Sequence, residues 1–194
     1  MSDTPRIEIR TVEPAYEQQI RALTGATHGA HQARLPHIFT DDGAHQHQLL
    51  DVVFGDDAAG SVHAFMALSG DALAGYVLII PDAAGSPDQP VNAVIANICV
   101  VPEFQRQGIG RALLAHCEAQ KDAHGWESLY AQVWHGNDTS HRLFGNAGYS
   151  AECTDYRLGT PSVREKPVLP KTFYRWLLPL CALLLATLWA YMFL

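Results

Sequence analysis

The chain has 194 residues, room for one domain plus an appendage, and 48% of it is hydrophobic against 17% charged. Its formal net charge of −7 divides unevenly: residues 1–158 hold nine Lys/Arg against nineteen Asp/Glu (−10), and residues 159–194 hold four against one (+3). An acidic body without a basic stripe argues against nucleic acid as a partner, because nothing would displace condensed counterions; it suits a cationic amine.

In chain order, Arg6 to Val12 alternates Ile7 and Ile9 with charged neighbours, which predicts a strand. Pro14 followed by Tyr16, Ile20 and Leu23 predicts a helix, while the Gly-, His- and Gln-rich stretch Thr24 to His47 reads as short helix plus loop. Leu49 to Phe54 completes a second helix. His63 to Leu68 and Leu73 to Ile80 read as two strands joined at Ser69-Gly70-Asp71, and Pro81 to Pro90 as a loop. Then come an apolar strand, Val91 to Val101, a helical pattern, Arg111 to Lys121, a strand from Ser128 to Trp134, a helix starting near Asn137 and a last strand from Tyr149 to Leu158. Strands alternating with helices predict a mixed α/β sheet.

The four cysteines, Cys99, Cys117, Cys153 and Cys181, form no Cys-x-x-Cys pair and sit in apolar surroundings. They read as small buried hydrophobes in a reducing compartment. The polar, acidic N-terminus carries no secretory signal.

The C-terminal part reads as a membrane anchor. Trp176 to Leu194 is 19 residues without a charge. A helix of that length spans roughly 28 Å, close to the hydrocarbon thickness of a bilayer. Trp176 stands at one end, and Trp189, Tyr191 and Phe193 at the other, as interfacial aromatics do. A buried C-terminal core helix is the alternative. Arg164, Lys166, Lys171 and Arg175 flank the run on its N-terminal side, so residues 173–194 are expected to form a single-pass tail anchor with the N-terminal domain facing the cytoplasm. Residues 159–172, with Pro161, Pro167 and Pro170, read as a semi-rigid basic linker.

The segment with most chemistry is Val100-Val101-Pro102-Glu103-Phe104-Gln105-Arg106-Gln107-Gly108-Ile109-Gly110. A strand that stops at a proline, turns through glycines and enters a helix presents unpaired N–H groups and the positive end of a dipole to an anion. The spacing Gln-x-x-Gly-x-Gly is neither a Walker loop, which needs Gly-Lys-Ser/Thr, nor a dinucleotide fingerprint, because Leu113 stands where the third glycine belongs.

At these residues the chain resembles the GNAT family of acetyl-CoA-dependent N-acetyltransferases, whose signature for the CoA pyrophosphate is Gln/Arg-x-x-Gly-x-Gly/Ala. The lead-in Val100 to Phe104, the segment Asn137 to Tyr149 and the hairpin Gly70 to Val77 are similar to family segments in the same order, so the resemblance covers roughly residues 5–158. It implies a mixed, mostly antiparallel central sheet flanked by about four helices. To this the chain would add its C-terminal transmembrane helix. It further implies that main-chain groups of Ile98, Cys99 and Val100 pair with the pantetheine, that Arg106, Gln107, Gly108, Ile109, Gly110 and Arg111 wrap the pyrophosphate, and that Asn137 reaches the pantetheine arm. The reaction implied is transfer of acetyl from CoA to an amine, on a small molecule or a protein.

The chain departs from that family at the acid and the base. Phe144 replaces the tyrosine many members use as general acid, and Val94-Ile95-Ala96-Asn97 carries no glutamate. Three readings stay open: a water chain oriented by Asn97 with unassisted thiolate departure; substitutes such as His135 or Tyr156; or an acyl-CoA-binding sensor or scaffold with little turnover. Taken singly, Asn97 also reads as a buried, hydrogen-bonded asparagine and His135 as a plain loop histidine. His28-x-x-His31 and His45-x-His47 have ligand-like spacing, but no cysteine or carboxylate completes a site, so no metal is expected. The histidines of this stretch read as solvated loop residues or, since in the family the first two helices form one wall of the acceptor pocket, as groups that tune acceptor binding with pH.

Overall fold

The structure, a computed structural model, describes residues 7–39, 44–55, 62–82 and 91–152, with side chains of the second helix from residue 47. The expected linker (159–172), the anchor (173–194), Tyr156, Cys153, Cys181 and the side chain of His45 lie outside the described residues. Among the described residues no helix is long and apolar enough to cross a membrane.

The order is β1 (Ile7–Thr11), α1 (Glu17–Arg34), α2 (Ala44–Phe54), β2 (His63–Ser69), β3 (Ala72–Pro81), β4 (Ala93–Val100), α3 (Ile109–His124), β5 (Leu129–Tyr130) and α4 (Asp138–Asn146), with single 3-10 turns at Pro14–Tyr16 and Pro102–Phe104. The sheet runs β1-β2-β3-β4-β5. Its first three pairings are antiparallel and the last, β4 with β5, is parallel. Among the described residues this is the mostly antiparallel mixed sheet with about four helices that the resemblance implies.

Two apolar layers cover the sheet. On one face Ile20 of α1 and Leu50 of α2 pack with Met66, Leu68, Tyr76, Leu78 and Cys99. On the other, Ile109, Leu113, Leu114 and Cys117 of α3 and Phe144 of α4 pack with Phe65, Val77, Ile79 and Ile95. Each fully buried Leu or Ile contributes about 1.5–3 kcal/mol by leaving water.

Helix α1 corrects the sequence reading. The stretch read as short helix plus loop instead continues the first helix unbroken to Arg34, despite Gly25 and Gly29, and only then leaves it. Ile20, Thr24 and His28, four apart, form a buried seam, and tertiary burial outweighs the roughly 1 kcal/mol each glycine costs. Arg21 adds Nε to Glu17 Oε1 at 2.8 Å and Nη2 to Asp51 Oδ1 at 2.8 Å, joining α1 to α2. β5 is shorter than expected, ending at Tyr130. Tyr149 to Glu152, expected to begin the last strand, are not in a strand; the remainder of that strand lies outside the described residues.

Candidate active site

β5 meets β4 only at Ala93–Leu129 and Val94–Tyr130. Beyond Val94 the strand β4 has no strand partner on that side among the described residues, so Ile95 to Val100 form an open edge. A bulge sharpens the divergence. Asn97 lies opposite Leu78 and Ile95 opposite Ile79, which leaves Ala96 as the extra residue. A bulge bends its strand and increases the local twist.

The bulge also exchanges the faces of β4. Ala93 and Ile95 point into the α3 side, as do Ile98 and Val100. Cys99 points into the α1 side. Asn97, two residues before it and opposite Leu78, shares that side.

Main-chain direction at the edge follows from one hydrogen bond. Val101 N donates to Ala74 O at 2.9 Å. Groups of a strand alternate sides, so the N–H and C=O of Cys99 also face β3, while those of Ile98 and Val100 face the opening. Cys99 therefore departs from its expected role: its backbone is committed to β3, and only Ile98 and Val100 offer main-chain groups. Val100 O already accepts from Gln105 Nε2 at 3.2 Å, a contact not foreseen from the sequence.

The chain then passes through Pro102–Phe104 into α3. Arg106 takes φ +61° and Gly108 φ +85°, so the backbone reverses twice before the helix. Gly108 is the N-cap residue, and the first intrahelical bond runs from Ala112 N to Gly108 O at 2.9 Å. The amides of Ile109, Gly110 and Arg111 precede it and have no acceptor within the helix. Gln107 Nε2 donates to Glu103 O at 2.9 Å, which braces the loop. Ile109 is buried as the apolar anchor of this end, whereas Arg106 and Arg111 are exposed. A Cβ at Gly110 would stand 3.2 Å from both Leu143 methyl carbons, so the glycine seats α3 against α4. Positive-φ turns, free amides and two arginines compose a cradle suited to a phosphate-sized anion.

Asn137 is the N-cap of α4, its Oδ1 accepting from Ser140 N at 3.3 Å. That commits its oxygen to the helix and leaves its amide N–H groups for a ligand. His135 is exposed, on the turn closed by Asn137 N to Trp134 O at 3.1 Å. Phe144 is buried in the α3-side core with its ring edge-on to Tyr149 at 5.2 Å. Burial pushes the Tyr149 hydroxyl up to about 12, with the Cys117 and Glu118 charges adding to it.

On the α1 side a polar cluster, unmarked in the sequence, occupies the core. Tyr76 is fully buried, and its hydroxyl oxygen lies 2.6 Å from Thr24 Oγ1 and 2.9 Å from Asn97 Nδ2, which donates to it. Cys99 Sγ donates to Asn97 Oδ1 at 3.1 Å and lies 3.3 Å from Thr27 Oγ1. Burial raises both the Tyr76 hydroxyl and the Cys99 thiol above their ordinary ranges, so both stay protonated. Above them Phe39 stacks on His31 at 5.2 Å and meets His28 and Trp134 edge-on at 5.5 and 5.2 Å, an aromatic bridge from α1 to the segment after β5. Burial, then Arg34 and His28, lower the His31 imidazole below its usual value. Among the described residues no group of three or more His, Cys, Asp or Glu is placed to hold a metal ion.

The model of the acetyltransferase (GNAT) family matches residues 28–149. The [ribosomal protein bS18]-alanine N-acetyltransferase of Escherichia coli (strain K12) is 36% identical over 59 residues, which are 30% of this chain and 40% of that protein. The match thus spans less than half of that relative's length. Among solved structures, a tetramutant of the BH1408 protein from Bacillus halodurans superposes with TM-score 0.65 at 17% identity, covering 78% of this chain and 99% of that one. An aminoglycoside N-acetyltransferase in complex with CoA gives 0.56 at 17% identity, with 81% and 98% covered. The ribosomal-protein-alanine N-acetyltransferase from Brucella melitensis biovar Abortus 2308 gives 0.56 at 15% identity, with 79% and 99% covered. At these identities the structural likeness concerns the fold.

Proposed function

The chain belongs to the acetyltransferase (GNAT) family, and from that premise we propose that it transfers an acetyl group from acetyl-CoA to an amine while tethered to a membrane by residues 173–194. The observation that carries the reading is the open edge of β4 running directly into the cradle at the start of α3. An extended arm with a pyrophosphate at its end fits that layout: Ile98 and Val100 pair with the arm, and the amides of Ile109 to Arg111 receive the anion, with Arg106 and Arg111 adding charge.

Acetyl-CoA supplies the activated thioester. The protein's part is to hold it, to place a donor N–H near the oxygen on which negative charge develops, and to receive an uncharged amine from the α1 side. The C–N bond forms as the C–S bond breaks; the amine gives up one proton, and CoA leaves as thiolate or thiol. A thiol titrates near 8.5, so departure needs little acid assistance. That suits a site whose Phe144 is buried in the core and whose β4 carries no carboxylate.

Phe144 also favours a second reading, an acyl-CoA-binding sensor or scaffold. Calorimetric titration of the full chain with acetyl-CoA, beside Gly108→Glu and Gly110→Glu, tests the cofactor site: binding is expected in the parent and lost in the variants. Thiol release with a panel of amines then separates enzyme from sensor, and Phe144→Tyr shows whether a missing acid limits turnover. The tether is supported by the uncharged run 176–194 and its basic flank. Alkaline carbonate extraction of membranes tests it; release of the full chain into the supernatant would refute it. The cytoplasmic orientation is tested by protease protection of the domain in sealed vesicles.

A further inference from the structure

The buried cluster beneath α1 has a direction that follows from counting its protons. The Thr24 hydroxyl donates to Ile20 O at 2.7 Å, which uses its one hydrogen. Across the 2.6 Å contact Tyr76 must therefore be the donor to Thr24 Oγ1. Tyr76 then has only acceptor capacity for Asn97, and Asn97 Nδ2 donates to it at 2.9 Å. Cys99 donates to Asn97 Oδ1 at 3.1 Å and shares its one hydrogen with Thr27 Oγ1 at 3.3 Å, because the Thr27 hydroxyl is spent on Leu23 O at 2.9 Å. A flipped carboxamide would set the Asn97 oxygen against a Tyr76 oxygen that has no hydrogen to offer it, so the network fixes which way Asn97 faces. One N–H of Asn97 is left over. The residue is partly exposed, on the α1 side of the open β4 edge, beside the bulge at Ala96.

We propose that Tyr76, with Thr24 and Cys99, is a positioning residue that locks the Asn97 carboxamide so that its second N–H is held as a fixed, neutral donor toward an oxygen on the acceptor side of the β4 opening. That oxygen belongs to the acceptor itself, as in an amine with a neighbouring carbonyl, or to a water beside the amine. A neutral carboxamide orients an oxygen but takes no proton, so the amine must reach this place already uncharged. The chain thus replaces a charged group on β4 with an uncharged one whose geometry is set from the core. This rests on the transferase reading for its kinetic consequence but not for its geometry.

Two measurements on the full chain test it. In side-chain amide NMR, the Asn97 proton bonded to Tyr76 is expected to exchange slowly and the other quickly, and Tyr76→Phe is expected to abolish the difference while the melting transition stays cooperative. Should Tyr76→Phe fail to fold, Thr24→Val, which frees the Tyr76 hydrogen to meet a flipped Asn97 oxygen, is expected to shrink the difference between the two protons; an unchanged difference would overturn the proposal. Equal exchange of the two protons in the wild type, or a protected proton in Tyr76→Phe, would overturn the proposal even in a protein that never turns over. In acetyl transfer, Asn97→Ala and Tyr76→Phe are each expected to lower kcat by about five- to tenfold, the effect of one well-placed hydrogen bond, with acetyl-CoA affinity unchanged. The double variant is expected to be no slower than Asn97→Ala; multiplicative losses would show that Tyr76 does not act through Asn97, and would also overturn the proposal. Glycinamide and ethylamine as acceptors identify the oxygen: a larger loss with glycinamide assigns it to the acceptor, equal losses to water. Absence of any transfer in the wild type would refute the transferase reading and leave the amide-exchange result to decide the geometry.

Discussion

Gly108→Ala isolates what the turn before α3 is for. The glycine sits at φ +85°, and a Cβ built there meets nothing within 4 Å. Steric crowding is therefore absent, and the whole effect is the cost of a left-handed backbone in an L-residue, about 1–2 kcal/mol. Two routes are open to the variant. The loop keeps its shape and the cost appears as lost stability, or it relaxes to negative φ and the cost appears as misdirected amides and weaker CoA binding. The first is expected, because the loop is braced on both sides: Gln105 Nε2 to Val100 O at 3.2 Å, Gln107 Nε2 to Glu103 O at 2.9 Å, and Ile109 buried directly after it. For a chain of this size 1 kcal/mol corresponds to roughly 2–4 °C, so the melting temperature should fall by about 2–8 °C. CoA affinity by calorimetry should stay within about twofold of wild type, since tenfold would need 1.4 kcal/mol. Gly108→Asn should lose less, because asparagine tolerates the left-handed region. An alanine variant with wild-type melting temperature and wild-type CoA affinity would refute the reasoning.

Asn137 separates helix capping from ligand binding. Asn137→Asp keeps the oxygen that accepts from Ser140 N but loses the amide donor, so it should keep its melting temperature and weaken CoA binding; Asn137→Ala should lose about 1 kcal/mol of stability as well, by thermal melts and calorimetry. Stability should fall as pH drops below about 6.5. Burial depresses His31, with help from Arg34 and His28, and His63, with help from His124, so the unfolded chain takes up their protons first; the loss begins at the unfolded value and continues down to the lower folded ones. His63→Gln should flatten a melting-temperature profile between pH 7.5 and 5, and an unchanged slope would count against the assignment. Cys117, fully buried and pushed up to about 12 chiefly by burial, should resist alkylation at pH 8 in the native chain and react on unfolding, as read by peptide mass mapping.

The amino-acid sequence by itself determined the order and type of most described elements and the turn where the proposed anion cradle lies. Those signals are local: alternation in Ile7–Ile9, the Ser69-Gly70-Asp71 turn, and a strand, proline, glycines and helix in succession at Val100 to Gly110. Each is written in neighbouring residues, because backbone dihedral preferences and periodicity act over a few positions. The length of α1 was not legible, since Gly25 and Gly29 argue for a break and only burial against the sheet overrides them. A hydrogen-bonded Asn97 was legible as one reading, but its partners and its side of the sheet were not. Strict alternation sets Asn97 on the side of Ile95, and the bulge at Ala96 reverses that. A bulge is a mismatch between two paired strands, so it exists only once β3 and β4 are in register. The same pairing directs the Cys99 backbone to β3 and brings Tyr76, 21 residues away in the chain, within 2.9 Å of Asn97. Tertiary structure decided these points because each depends on which strand lies beside which, a relation that no single segment carries.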